Sequence, residues 1–157
     1  MTKIIYNKFD KKQIGQLPRI LFGGKIVVVL SVSEADKAVN YLLSRDILGI
    51  DTETRPVFHK GQHHKVALLQ VSDYDTCFLF RLNRIGMPKS VLKLLEDKTI
   101  PKIGLSLVDD MLMLHQRSKF VPGYFIDLQD YTKGLGIEDL SLQKLYANIF
   151  HQRISKR

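Results

Sequence analysis

Two carboxylates one residue apart close a short apolar run, Ile47-Leu48-Gly49-Ile50-Asp51-Thr52-Glu53. The run reads as a buried strand. Side chains two apart on a strand share a face, so Asp51 and Glu53 point to one side at its end. Like charges held that close, beside apolar residues, repel and lose hydration unless a cation or a proton intervenes. A divalent metal answers both costs, and hard oxygen ligands suit magnesium or manganese. The plainer alternative is that Asp51 starts a turn and Glu53 faces water. Further along, Asp109-Asp110 opens a helix after Lys102-Ile103-Gly104-Leu105. Acids there are explained by the helix dipole alone. The combination is more specific than either part. Three carboxylates brought together across a sheet make a two-metal site possible, with the ions about 4 Å apart and acting on an in-line phosphoryl displacement.

Other chemistry has less support. His59, His63 and His64 lie in a polar stretch with Pro56 and Gly61 and read as a solvated loop rather than a metal site. Leu21-Phe22-Gly23-Gly24-Lys25 lacks the spacing and the Ser/Thr of a triphosphate-binding loop, and no serine sits in a nucleophile elbow. Cys77 is the only cysteine, which excludes an internal disulfide and a multi-cysteine zinc site. Among Thr76, Phe78, Leu79 and Phe80 it reads as a core thiol.

The elements that must position the carboxylates follow from periodicity. Residues 1–24 are basic and poorly periodic, an expected arm or loop. Lys25–Leu30 predicts a first strand. A helix starting at Ser33 buries Ala35, Ala38, Val39, Leu42 and Leu43, and leads into the Asp51 strand. Val66–Val71 and Thr76–Phe80, joined by Ser72-Asp73-Tyr74-Asp75, read as a β-hairpin. Pro88 opens a short helix with Val91, Leu92, Leu94 and Leu95 inward. Strands at 102–105 and 125–126 flank a helix over 108–115, and further helices start at Asp127 and Ser141. Strands and helices alternate, but the hairpin breaks the βαβ rhythm. An α/β fold with a mixed sheet is expected.

The chain of 157 residues is sized for one domain, with 45% hydrophobic and 25% charged residues. No apolar run approaches the roughly 20 residues of a membrane span, and the first residues lack a signal-peptide pattern. A cytoplasmic location with no membrane association is expected. The net charge of +8 is uneven: residues 1–25 carry +5, residues 141–157 carry +4, and the stretch between carries −1. Basic ends around a carboxylate-bearing body suit a polyanion gripped by its backbone, although basic termini also serve simply as solubilising tails.

Over residues 26–150 the chain resembles the DEDD 3′–5′ exonucleases of the ribonuclease H-like fold, in the branch of ribonuclease D and the Werner-syndrome exonuclease domain. Ile47–Thr54 is similar to the first motif, and Lys65–Val71 to the strand that follows it. Lys102–Leu112 is similar to the second motif, with the catalytic aspartate falling on Asp110. Gly134-Leu135-Gly136 and Leu140–Leu145 are similar to the segment before the third motif. The resemblance implies a ribonuclease H-like mixed sheet with helices on both faces. It also implies two-metal hydrolysis that releases nucleoside monophosphates from a 3′ end. Asp51, Glu53 and Asp110 would then be catalytic residues holding two Mg2+ or Mn2+ ions, with Asp51 bridging both. The backbone near Thr52 would approach the terminal nucleotide, and the partner would be a single-stranded or 3′-recessed nucleic acid. The expected division is a basic arm at 1–24 and an exonuclease domain at 25–157.

One departure is expected to matter. The family's third motif places an aspartate four residues after a tyrosine. Tyr124, Tyr131 and Tyr146 are followed at that distance by Leu128, Leu135 and Phe150. The histidine variant of the motif fails too, because Phe120 and Lys156 stand five residues after His115 and His151. The domain is therefore expected to lack its last motif-bearing helix, as a truncated or degenerate member, and to turn over slowly. The other function left open is a non-catalytic nucleic-acid-binding module of the same fold.

Overall fold

The computed structural model of the protein describes residues 4–55 and 58–154. In chain order the elements are α1 (Lys11–Ile14), β1 (Arg19–Ile20), β2 (Lys25–Val29), α2 (Val32–Leu42), β3 (Leu48–Thr54), β4 (Val66–Ser72), β5 (Thr76–Arg81), α3 (Leu82–Ile85), α4 (Lys89–Glu96), β6 (Lys102–Gly104), α5 (Leu107–His115), β7 (Phe125–Asp127), α6 (Leu128–Gly134), α7 (Leu142–Phe150) and β8 (Arg153–Ile154). They form two compact units. One runs without interruption from Gly24 to Asp127, and the other joins the first 23 residues to those from Leu128 onward.

The continuous unit is built on a six-stranded sheet in the order β2-β5-β4-β3-β6-β7. Only β4 runs against its neighbours; β2 with β5, β3 with β6 and β6 with β7 are parallel. The mixed sheet expected from the hairpin is present, and β4 and β5 are that hairpin. Asp73 shapes its turn, its Oδ1 accepting the Asp75 and Thr76 amides at 2.8 and 2.7 Å. Along β3 the register aligns Asp51 with Gln70 and Glu53 with Leu68. Leu48 and Ile50 point the other way, into a core shared with Val29, Leu69, Val71 and Phe80 and with Ala35, Ala38, Val39, Leu42, Val91, Leu94 and Leu95 from α2 and α4. Apolar side chains at strand and helix spacing meet on that one face, and their burial is the main drive for the unit to form.

Two boundaries differ from expectation for local reasons. Helix α2 begins at Val32 rather than Ser33, because Ser31 is the cap: its Oγ accepts the Glu34 amide at 3.1 Å, and Glu34 reaches back to the Leu30 amide. The first strand expected at Lys25 is the second, since Arg19–Ile20 already pairs with Arg153–Ile154.

Residues 4–23, part of the stretch expected as an arm or loop, contribute to the discontinuous unit. Phe9 and Ile14 are buried against Ala147 of α7, which folds the segment into a one-turn helix and a short strand. Buried Asp139 accepts the Phe9 amide at 3.2 Å and Asn148 Nδ2 at 2.9 Å. Asn148 in turn brackets the Tyr6 backbone, its Oδ1 taking the amide at 2.8 Å and its Nδ2 donating to the carbonyl at 2.7 Å. Each buried polar group in this knot has a partner, as a buried site requires.

Candidate active site

Strand β3 supplies Asp51, Thr52 and Glu53, and α5 supplies Asp110. The approach of α5 to β3 depends on where β6 stops. Pairing of β3 with β6 covers only Leu48 and Gly49, so the rest of that edge is free of a strand neighbour. Helix α5 packs there. The turn that delivers it is tight. A Cβ on Gly104 would stand 2.8 Å from the Ile50 carbonyl oxygen and 2.4 Å from a methyl of Leu107, so only glycine fits. Ser106 then adopts a left-handed conformation at φ 56°. It does not cap α5 with its own side chain. The cap is Asp127 at the end of β7, whose two carboxylate oxygens accept the Ser106 and Leu107 amides at 3.1 and 2.8 Å. Asp127 therefore sets the start, and with it the aim, of the helix that carries Asp110.

At the site, Asp51 and Glu53 share one face of β3 and Thr52 points away from it, as alternation demands. The Thr52 hydroxyl donates to Oδ1 of Asp110. Burial pushes the Asp110 carboxyl above its ordinary value; the Thr52 hydroxyl pulls it back, and the negative charges of Asp51 and Asp109 push it up again. Asp51 keeps solvent contact, yet enough protein surrounds its carboxyl that burial raises it too. Hydrogen bonding from the Thr52 backbone opposes that rise and Glu53 adds to it. Asp51 is thus electrostatically coupled to a carboxylate on either side.

Three hard-oxygen donors of this kind suit a divalent ion, and Asp51 and Asp110 hold their protons more tightly than isolated carboxyls because they are partly buried and stand beside other carboxylates. Among the described residues, however, no three His, Cys, Asp or Glu side chains stand close enough together to hold an ion. The Thr52 hydroxyl holds an oxygen of Asp110, while Asp51 and Glu53 stand on the opposite face of β3. Asp109 is exposed and is bound to none of the three.

Other candidates separate by topology. Two exposed aromatic side chains able to stack on bases lie at opposite ends of the strands: Phe58 follows the carboxylate end of β3, whereas Tyr74 sits in the turn after β4, which runs antiparallel to β3. His59 and His63 are exposed in the turn around Gly61, as the solvated-loop reading expects. His115 stacks on Phe120 at 4.3 Å, a packing role. His151 ends α7 in a left-handed conformation with its ring against the Ile4 carbonyl. Sequence reasoning missed Asp127 because it reads locally as the start of the next helix. It also passed over Tyr6 and Asp10, which have the tyrosine-to-aspartate spacing but precede the first motif. Asp10 serves there as the cap of α1, its Oδ1 accepting the Lys12 amide at 3.0 Å.

A mixed sheet whose central strand ends in Asp-x-Glu, with a third aspartate on the helix beside it, defines a domain of the ribonuclease H-like class. The chain belongs to the 3′–5′ exonuclease family, whose profile matches residues 26–157. A 3′–5′ exonuclease of Arabidopsis thaliana is 31% identical over 140 residues, 82% of this chain and 46% of that protein. The bifunctional 3′–5′ exonuclease/ATP-dependent helicase WRN of Mus musculus is 28% identical over 148 residues, 89% of this chain and 11% of that protein. The chain therefore spans less than half the length of either relative. Among solved structures, the EXD2 exonuclease domain superposes with a TM-score of 0.61 at 28% identity, covering 85% of this chain and 73% of that one. The same domain has been soaked with Mn, and with Mg and dGMP. The catalytic core of RRP6 from Trypanosoma brucei shares the fold at a TM-score of 0.76 and 14% identity, over 94% of this chain and 44% of that one.

Proposed function

We propose that the chain hydrolyses nucleic-acid phosphodiester bonds one residue at a time from the 3′ end and releases nucleoside monophosphates. Asp51, Glu53 and Asp110 are its catalytic carboxylates. The observation that supports this is that Asp51 and Glu53 share one face at the end of the central strand while Thr52 between them holds the Asp110 carboxylate, in a chain of this family. The three would hold Mg2+ or Mn2+, two ions in a complete site, and the donor chemistry agrees with the ions soaked into the EXD2 domain. Bound divalent ions supply a more acidic water and charge neutralisation at the leaving oxygen. The chain's own residues supply the rest. Thr52 holds the Asp110 carboxylate through its hydroxyl, and the β3 backbone near Thr52 would approach the terminal nucleotide. Single-stranded or 3′-recessed nucleic acid is the substrate, and the lone buried thiol of Cys77 suits a reducing, cytoplasmic location.

Within these 157 residues no Tyr-x-x-x-Asp follows Asp110, so the water-positioning tyrosine and the fourth carboxylate are not contributed by them. Turnover by the 157 residues alone is therefore slow, and a longer chain that supplies the motif is much faster. The test compares single strands labelled at the 3′ or the 5′ end, with Mn2+. Early release of a labelled mononucleotide from the 3′ label and a descending ladder from the 5′ label support the proposal. Internal cleavage of both refutes it, and so does full-rate turnover by the short chain for the role given to the third motif. A second reading, a binding module without catalysis, is favoured by one observation: the described residues gather no three acidic or histidine side chains at an ion's distance. Strand binding with no metal-dependent shortening, even in the longer chain, would decide for it.

A further inference from the structure

The discontinuous unit contains a cavity of about 360 Å3 that the reading above does not use. Its lining combines Lys8 from the segment before α1, Lys11 from α1, and Glu138, Asp139, Ser141 and Lys144 from the segment that enters α7. Residues 130 or more positions apart are held around it by fixed contacts: the Asn7 carbonyl accepts the Glu138 amide at 2.7 Å, and Asp139 accepts the Phe9 amide. The lysines are thus placed by a satisfied backbone scaffold rather than by a loose tail.

Three ammonium groups facing one hollow repel each other. Among the described residues none of the three forms an ion pair, and of the two carboxylates that also line the hollow Asp139 is committed to Phe9 and Asn148, which leaves three lysines against the exposed Glu138. The α7 terminus adds little, since Ser141 Oγ occupies the Lys144 amide. The charge distribution agrees: of the net +8, residues 1–23 and 128–157 carry +6. Unpaired cations lining a hollow are the complement of phosphate oxygens, because lysine binds a phosphate as a point charge and releases its counterions.

We propose that this cavity is a binding site for the phosphodiester backbone of a nucleic-acid strand, with Lys8, Lys11 and Lys144 as its cationic lining. It rests on the nucleic-acid reading above but concerns binding and not hydrolysis. The test measures fluorescence anisotropy of a short labelled single strand with the whole chain, in EDTA, across a salt series. It compares the wild type with Lys8→Gln/Lys11→Gln/Lys144→Gln and with a control, Lys37→Gln/Lys89→Gln/Lys93→Gln, that removes the same charge from exposed positions of the other unit; thermal melts confirm that all three are folded. The cavity variant is expected to lower the salt-dependence slope by about 2 and the affinity at low salt by about ten-fold or more, with a smaller loss in the control. Equal losses in the two variants, no loss in the cavity variant, or no binding by the wild type would overturn the site. Binding of millimolar inorganic phosphate without any strand binding would overturn it as a strand site. If lysine-dependent binding holds while no strand is shortened with Mn2+, the hydrolytic reading fails and the cavity stands.

Discussion

Replacing Gly104 with alanine tests whether the close approach of β6 to β3 is what places α5. The new Cβ would lie 2.8 Å from the Ile50 carbonyl oxygen, 2.4 Å from Cδ2 of Leu107 and 3.1 Å from its Cγ. Carbon and oxygen in ordinary contact stand more than 3.0 Å apart, so the Ile50 carbonyl must retreat by roughly half an ångström. It cannot do so alone, because it belongs to the strand whose next residue is Asp51. Leu107 can rotate, but it is buried and its escape opens or overfills the core. Overpacking of this kind costs about 1–3 kcal/mol. For a chain of this size each kcal/mol shifts the melting point by about 2–4 °C, so a fall of roughly 3–10 °C is expected in a far-ultraviolet thermal melt. The exonuclease rate should fall beyond what the melt explains at assay temperature, because Ile50 and Leu107 flank Asp51 and Asp110. Gly134→Ala, where nothing lies within 4 Å of the added methyl, is the control and should be neutral or slightly stabilising. An unchanged melting point for Gly104→Ala would refute the steric argument. A lowered melting point with an unaltered rate would refute the link from that packing to the site.

Two further substitutions probe the carboxylates' surroundings. Asp127→Ala removes the acceptor of the Ser106 and Leu107 amides and should cost about 1–2 kcal/mol by thermal melt, with a fall in turnover that Asp127→Asn partly restores. In metal-free protein, Thr52→Val removes the hydroxyl that lowers the Asp110 carboxyl, so that carboxyl should titrate higher still in side-chain carboxyl NMR. The sign for stability follows. A carboxyl raised in the folded state contributes stability that is complete below its unfolded value, 3.8, and is lost as pH rises through the folded value. Asp110→Asn should therefore raise the melting point of the metal-free chain at neutral pH, and that gain should vanish below about pH 4.

What the sequence made legible was whatever depends on near neighbours. Strand β3 announced itself by an apolar run ending in Asp-x-Glu, and the hairpin by two β-rich runs around a turn-forming Asp73. The α2 helix was legible from its apolar spacing, but its start was placed at Ser33, whereas Ser31 is the cap and Glu34 reaches back to Leu30. What stayed hidden depends on contacts far apart in sequence. Asp127 caps α5 from 20 residues away. The fold of residues 4–23 is set by Phe9 and Ile14 packing on Ala147, and no local periodicity encodes that. The side-chain arrangement at the site was hidden for another reason. Alternation puts Asp51 and Glu53 on one face, but only the meeting of α5 with β3 shows that Thr52 claims an oxygen of Asp110.

The central claim is that Asp51 works as a catalytic carboxylate, and one comparison tests it most directly. Wild type and Asp51→Asn are assayed side by side on a 3′-labelled single strand with Mn2+, and both are melted. The amide keeps the shape and removes the charge, so the account predicts loss of mononucleotide release with a melting point equal to or above the wild type's. Normal turnover by Asp51→Asn would contradict it.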